Sequence, residues 1–194
     1  IRLNVLRWLV KWFPGTKPLL LIGPPGVGKT TIVKILSSLL NYDLIELNAS
    51  DTRSGPLLEK LITPLYNNTS LFGKKILLFF DEVDGIYGRE DSGGLEILIN
   101  IVKASNFPII FVANSNNIKL KNLSKLCKIF KFQHISANLL MMFLNYVLFK
   151  QGNSLSFDDK EWIVEKSNGD VRTMLNLAQS KSMGYDKFVH ETFK

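Results

Sequence analysis

The stretch GPPGVGKTT, Gly23–Thr31, decides the fold. It stands between an apolar run, LLLI (19–22), and a run of helix formers, KTTIVKILSSLL (29–40). A packed core has no use for a loop this rich in glycine and proline, but a phosphate has. Glycine lets the main chain curl and come close to phosphate oxygens. The helix that follows adds its free N-terminal amides and the positive end of its dipole. Gly23, Gly28, Lys29 and Thr30 fill the fixed positions of G-x-x-x-x-G-K-[ST]. In that pattern the lysine sets a cation on the β/γ-phosphates and the hydroxyl holds Mg²⁺. Pro24 and Pro25 have no N–H, so the amide donors run from Gly26 onward, through Val27 and Gly28 toward Thr31. A chance glycine turn is the alternative, and it does not account for the strand before the loop and the helix after it.

Working outward, LLLI has the character of a parallel strand buried on both faces. Ile32, Ile35, Leu36, Leu39 and Leu40 form one face of the following helix. Upstream, Leu3, Leu6, Leu9 and Val10 predict a helix over 3–12. Downstream the alternation repeats. DLIELN (43–48), KILLFFDEVD (75–84), FPIIFVAN (107–114) and KIFKF (128–132) read as strands; SGPLLEKLITPLY (54–66) and GGLEILINIVKA (93–104) read as helices. This is an α/β pattern, a five-stranded parallel sheet flanked by helices. Beyond residue 134 the strand signals stop. Three helical segments follow, with Asp158 and Asp170 in N-cap positions. The reading therefore gives a nucleotide-binding α/β domain over 1–134 and a small all-helical domain over 135–194. The Asn- and Lys-rich stretch 116–128 is ascribed to composition.

The 194 residues are 46% apolar and 21% charged, a globular balance and not a disordered one. Lys and Arg outnumber Asp and Glu by 24 to 17, for a net charge of +7. Such a surplus permits a polyanionic partner without requiring one. One cysteine, Cys127, and two histidines exclude a disulfide framework within the chain and a Cys/His zinc cluster. Cys127 reads as a core residue, and a reducing intracellular compartment is expected. No apolar run approaches the roughly 20 residues of a membrane span, so no membrane partner is expected.

Two acids extend the site. Asp81 leaves its strand at the C-terminal end, where open α/β sheets bind ligands, and is suited to hold Mg²⁺. Glu82 is suited to orient or deprotonate an attacking water. Asp84 reads as a cap of the next turn. Asn114 ends its strand, and either holds that water from the other side or opens a turn. Arg172 falls in the first turn of a helix, where the dipole disfavours a cation. It serves either a γ-phosphate or solvent.

GPPGVGKTT, ELNASDTRS (46–54), DEVDGIYGREDSGG (81–94), PIIFVAN and GDVRTMLN (169–176) stand in order, and together they resemble the AAA+ ATPases, in particular the clamp-loader large subunits of the replication factor C type. The likeness covers about residues 18–180. It implies the AAA+ strand order and a helical lid. It implies that Gly23–Thr31 are Walker A, Asp81 and Glu82 are Walker B, Asn114 is sensor 1 and Arg172 is sensor 2. ATP and Mg²⁺ are the implied cofactors. The implied partners are four small subunits in a hetero-pentamer, a ring clamp of the PCNA type and primer–template DNA. The implied compartment is the nucleus in a eukaryote and the cytoplasm in an archaeon.

Small subunits of that family carry Ser-Arg-Cys before the fifth strand, where this chain has Lys125-Leu126-Cys127. The resemblance thus implies a chain that supplies no arginine to a neighbour's ATP and takes one from a small subunit. Leu71 and Phe72 either anchor in an apolar clamp pocket or close a helix–strand turn. Arg53 and Arg89 either contact DNA phosphates or lie free in solvent. The chain reads as a segment whose N-terminal adenine-covering stretch and C-terminal collar lie outside it. Two other functions fit the same motifs: a paralogous loader or unloader, and a structural module that binds ATP with little turnover.

Overall fold

The computed structural model describes residues 2–48, 75–85, 94–115 and 120–184. Arg53, Leu71, Phe72, Arg89 and the helix expected over 54–66 lie outside these residues. The elements are α1 (Arg2–Val10), β1 (Leu19–Ile22), α2 (Lys29–Leu39), β2 (Tyr42–Asn48), β3 (Lys75–Asp81), a 3₁₀ turn (Val83–Gly85), α3 (Gly94–Ala104), β4 (Ile109–Ala113), α4 (Lys121–Leu126), β5 (Lys128–Lys131), α5 (Ala137–Lys150), α6 (Phe157–Ser167) and α7 (Val171–Ser182). The chain divides into two compact units. Their described residues fall within Ile1–Gly23 and Lys29–Phe132 for the first, and within Pro24–Gly28 and Gln133–Lys194 for the second.

The first unit is built on a five-stranded, all-parallel sheet in the order β2-β3-β4-β1-β5. All four residues of β1 are buried, and strand geometry sends alternate ones to opposite faces. Leu20 and Ile22 join Leu78, Phe80, Phe111, Leu98, Ile101 and Leu123 in one core. Leu19 and Leu21 join Leu77, Phe79, Ile110, Val33, Leu36 and Trp8 in the other. This double burial is why the central strands read as unbroken apolar runs. Phe80 and Phe111 stack with ring centroids 5.2 Å apart. Cys127 belongs to the first core, and burial pushes its thiol up to about 12 against the lowering effect of the Lys17 charge.

Three details differ from the sequence reading. β3 stops at Asp81 instead of running to 84, because Glu82 takes a left-handed backbone (φ +53) that no strand continues through. β4 stops at Ala113, one residue short of Asn114. Within the Asn/Lys-rich stretch a short helix, α4, forms with Leu120 and Leu123 fully buried.

The second unit packs α5, α6 and α7 around Leu140, Leu144, Leu148, Ile163, Met174 and Leu177. Asp170 caps α7, accepting from Thr173 N at 3.0 Å. Asp158 does not cap α6. Ser156 does, because its extended backbone (φ −60, ψ 160) aims the hydroxyl at Asp159 N, 3.1 Å away, and Asp158 already lies inside the first turn. α6 ends through left-handed Asn168 and Gly169. Among the described residues, no helix is long and apolar enough to cross a membrane.

Candidate nucleotide site

Register fixes the place of the site. Ile22 lies opposite Ala113, and Asn48 lies opposite Asp81. The C-terminal ends of β1, β3 and β4 therefore fall on one edge of the sheet. Gly23, Glu82 and Asn114 each follow one of those ends.

At the first end, Gly23 N donates to Ala113 O at 3.3 Å, and Phe132 N donates to Ile22 O at 2.6 Å. The exit of β5 thereby passes tightly over Gly23. A Cβ there would lie 2.5 Å from Phe132 O and 2.6 Å from Phe132 Cβ. Only glycine permits that approach. Lys29, at the start of α2, is buried at 4% exposure. Its Nζ donates to Gly23 O at 2.7 Å and to Asn114 Oδ1 at 3.0 Å. A buried ammonium demands such partners. The structure thus brings together Gly23, Lys29 and Asn114, which the sequence separates by up to 91 positions.

Thr30 Oγ1 donates to Asp81 Oδ2 at 2.7 Å. A hydroxyl and a carboxylate side by side form an all-oxygen pair of the kind that hard cations prefer. Asp81 uses its other oxygen to accept from Glu82 N at 2.9 Å. Glu82 O accepts from Gly85 N at 2.8 Å. These two bonds pin Glu82 in its left-handed conformation and leave its side chain exposed. A non-glycine residue there stores strain of about 1–3 kcal/mol, a cost met most often at functional sites.

Sequence reading gave Asp84 only a local capping role. The structure instead has its Oδ2 accept from Asn114 N at 3.1 Å, across 30 residues. No sequence signal marks this, because the partner is a main-chain group.

The loop residues Pro24–Gly28 belong to the second unit. Gly26 (φ +68) turns its carbonyl to accept from Val171 N at 3.1 Å. A Cβ on Gly26 would overlap the Asp170 carboxylate. Gly28 is also left-handed (φ +87), while Val27 is buried and Pro25 is exposed. Arg172 is exposed and stands one residue beyond the amide that binds Gly26. Thr31 is exposed on the first turn of α2. Lys125 is exposed near the end of α4.

Known proteins give this geometry its context. The family model described as "ATPase family associated with various cellular activities (AAA)" matches residues 19–134. The replication factor C large subunit of Thermofilum pendens is 38% identical, over 92% of this chain and 45% of its own length. That of Methanococcus aeolicus is 37% identical, over 87% of this chain and 36% of its own. Human replication factor C subunit 1 is 36% identical, over 95% of this chain and 19% of its own. The chain thus spans less than half the length of these curated relatives. Nucleotide binding is the property common to the matched domain, and the Gly23–Thr31 loop with Lys29 lies inside the match. The chain belongs to the AAA family of ATPases, and its relatives there include large subunits of replication factor C.

Proposed function

We propose that this chain is the ATP-binding and ATP-hydrolysing part of a clamp-loader large subunit. In this reading it couples hydrolysis to the loading of a PCNA-type ring on primer–template DNA, in a hetero-pentamer with four small subunits. The observation that carries the reading is the joining of Lys29 to both Gly23 and Asn114 at the sheet edge where Thr30 meets Asp81.

The roles follow from the chemistry. Gly23–Thr31 cradle the triphosphate with main-chain amides. Lys29 carries the cation toward the β/γ-phosphates. Thr30 and Asp81 fit Mg²⁺, since they present two hard oxygens 2.7 Å apart and leave the remaining positions to phosphate and water. When bound, that ion neutralises charge developing on the phosphate oxygens. Glu82 orients the attacking water and takes up its proton. Asn114 steadies that water from the opposite side. Arg172 is assigned to the γ-phosphate. The site is completed in trans by an arginine of a small subunit, worth roughly 10³–10⁵ in rate in other NTPases. The Lys125-Leu126-Cys127 segment has no such arginine to give. Leu71 and Phe72 are assigned to clamp contact, and Arg53 and Arg89 to DNA phosphates.

The test is steady-state ATP hydrolysis by the intact protein with its small subunits, with and without clamp and primed DNA. Stimulation by clamp and DNA that weakens in Lys29→Ala is the expected result. Glu82→Gln should keep ATP binding and lose turnover. If Glu82→Gln still loads clamps at the normal rate, ATP here serves only to fix shape and the coupling of its hydrolysis to loading fails.

A further inference from the structure

We propose that Asp84 is a positioning residue for ATP hydrolysis, acting by holding the main chain of Asn114, whose side chain accepts from Lys29. The proposal rests on the ATPase reading given above.

Three hydrogen bonds link, in order, the 3₁₀ turn after β3, the residue after β4, the start of α2 and the residue after β1. Asp84 Oδ2 accepts from Asn114 N at 3.1 Å, Asn114 Oδ1 accepts from Lys29 Nζ at 3.0 Å, and Lys29 Nζ donates to Gly23 O at 2.7 Å. Asn114 lies one residue past the end of β4, so the sheet ladder no longer fixes its amide. Asp84 takes over that task and so sets the direction from which the Asn114 side chain meets the lysine.

The turn that presents Asp84 is the one that presents Asp81 and Glu82. It begins with left-handed Glu82, whose amide binds Asp81 and whose carbonyl binds Gly85. The metal ligand, the base and the hold on Asn114 are therefore set by one short piece of backbone.

A merely stabilising role explains the residue type poorly. Asp84 Oδ1 is buried and has no hydrogen-bond partner among the described residues. Leaving a buried polar atom unpaired is costly, on the order of 1–3 kcal/mol. A cap of a turn is served as well by serine or asparagine. An acceptor oxygen on a side chain of this length is explained by its reach to the Asn114 amide.

The experiment compares Asp84→Ala, Asp84→Asn, Asn114→Ala and the double variant Asp84→Ala/Asn114→Ala. It uses the intact protein with its partner subunits, and the rate of the Lys29→Ala complex is subtracted as the contribution of other sites. Asp84→Ala should lower kcat about 10-fold with KM for ATP within about twofold, as expected for a misplaced catalytic group. Asp84→Asn keeps an acceptor for the Asn114 amide and should recover most of the rate. The double variant should be no slower than Asn114→Ala, since both act on one element. Multiplying losses, an unchanged kcat in Asp84→Ala, or failure of Asp84→Asn to recover each overturns the proposal. If Asp84→Ala does not fold, Asp84→Glu lengthens the arm by one methylene and should lose rate in the same direction; a wild-type rate there overturns it. Failure of the underlying reading is distinct, because then Lys29→Ala itself leaves the rate unchanged.

Discussion

Gly26→Ala tests whether the tip of the phosphate loop and the start of α7 are built as one piece. Gly26 sits at φ +68, where an L-residue costs about 1–2 kcal/mol. Its new Cβ would also overlap the Asp170 carboxylate. That group is the end of a side chain with free torsions, so it turns aside. What is lost is its bond to Thr173 N at 3.0 Å, an N-cap worth about 1 kcal/mol. The sum is a loss of about 2–3 kcal/mol. Gly28 supplies the control. It sits at φ +87 with nothing within 4 Å of a built Cβ, so Gly28→Ala should lose only the backbone share. Asp170→Ala supplies the second control. With the carboxylate gone, Gly26→Ala should cost only about 1–2 kcal/mol. The assay is urea unfolding followed by far-ultraviolet circular dichroism on all four variants. If Gly26→Ala and Asp170→Ala add to within about 0.5 kcal/mol, the two residues do not interact and the reasoning is refuted.

Four further outcomes are expected. Gly23→Ala meets main-chain and Cβ atoms of Phe132 at 2.5–2.6 Å, which cannot turn aside, so urea unfolding should show a loss of about 1–3 kcal/mol, and a change under about 0.5 would contradict the close packing of β5 on the loop. Hydrogen bonds from Ser156 and Lys181, with the Lys181 charge, hold the Asp159 carboxyl below its usual range despite an opposing effect of burial; a depressed folded value means stability that is complete above the unfolded pKa and lost as pH falls through the folded one. The melting temperature should therefore drop on acidification below about pH 4, less steeply in Asp159→Asn, and equal slopes would remove the link. The Cys127 thiol, raised to about 12 by burial, should resist alkylation at pH 8 until urea unfolds the chain, and rapid labelling of the folded protein would show that the core opens there. Asn114→Ala frees Lys29 from one acceptor, so ATP affinity should hold or rise while kcat falls; a tenfold loss of affinity would mean that Asn114 binds the nucleotide directly.

Much of this was legible in the sequence, and the reasons are physical. The Gly23–Thr31 loop between β1 and α2 reads at once because its residue types are dictated by close main-chain approach at Gly23 and by a buried charge at Lys29. β1, β3 and β4 read because strands buried on both faces must be apolar throughout. What escaped was set by single backbone states and long-range partners. Glu82 has no composition that announces a left-handed turn, so β3 appeared three residues too long. Asp158 seemed a cap because aspartate suits the position, but Ser156 has the extended backbone that aims a side chain at the free amide. α4 was hidden by lysines and asparagines, although Leu120 and Leu123 stand at helical spacing and both are fully buried. Asp84 could not be placed at all, since its partner is the main chain of a residue 30 positions away.

The buried lysine ties these observations together. At 4% exposure an ammonium must be paired, and Gly23 O and Asn114 Oδ1 are two of its acceptors. A phosphate that engages Lys29 draws its Nζ away from one or both. Both existing bonds are charge-assisted by the ammonium, and a phosphate adds a second charge on the acceptor side, which makes it the stronger partner. The exchange cannot be local, however. Drawing Lys29 toward phosphate loosens its hold on the Asn114 side chain, while Asp84 keeps the Asn114 main chain in place. Under the proposed reaction the side chain would then be free to hold the attacking water without the backbone following. A rigid anchor on the main chain and an exchangeable partner on the side chain are what such a response needs, and Asp84 and Lys29 supply one each.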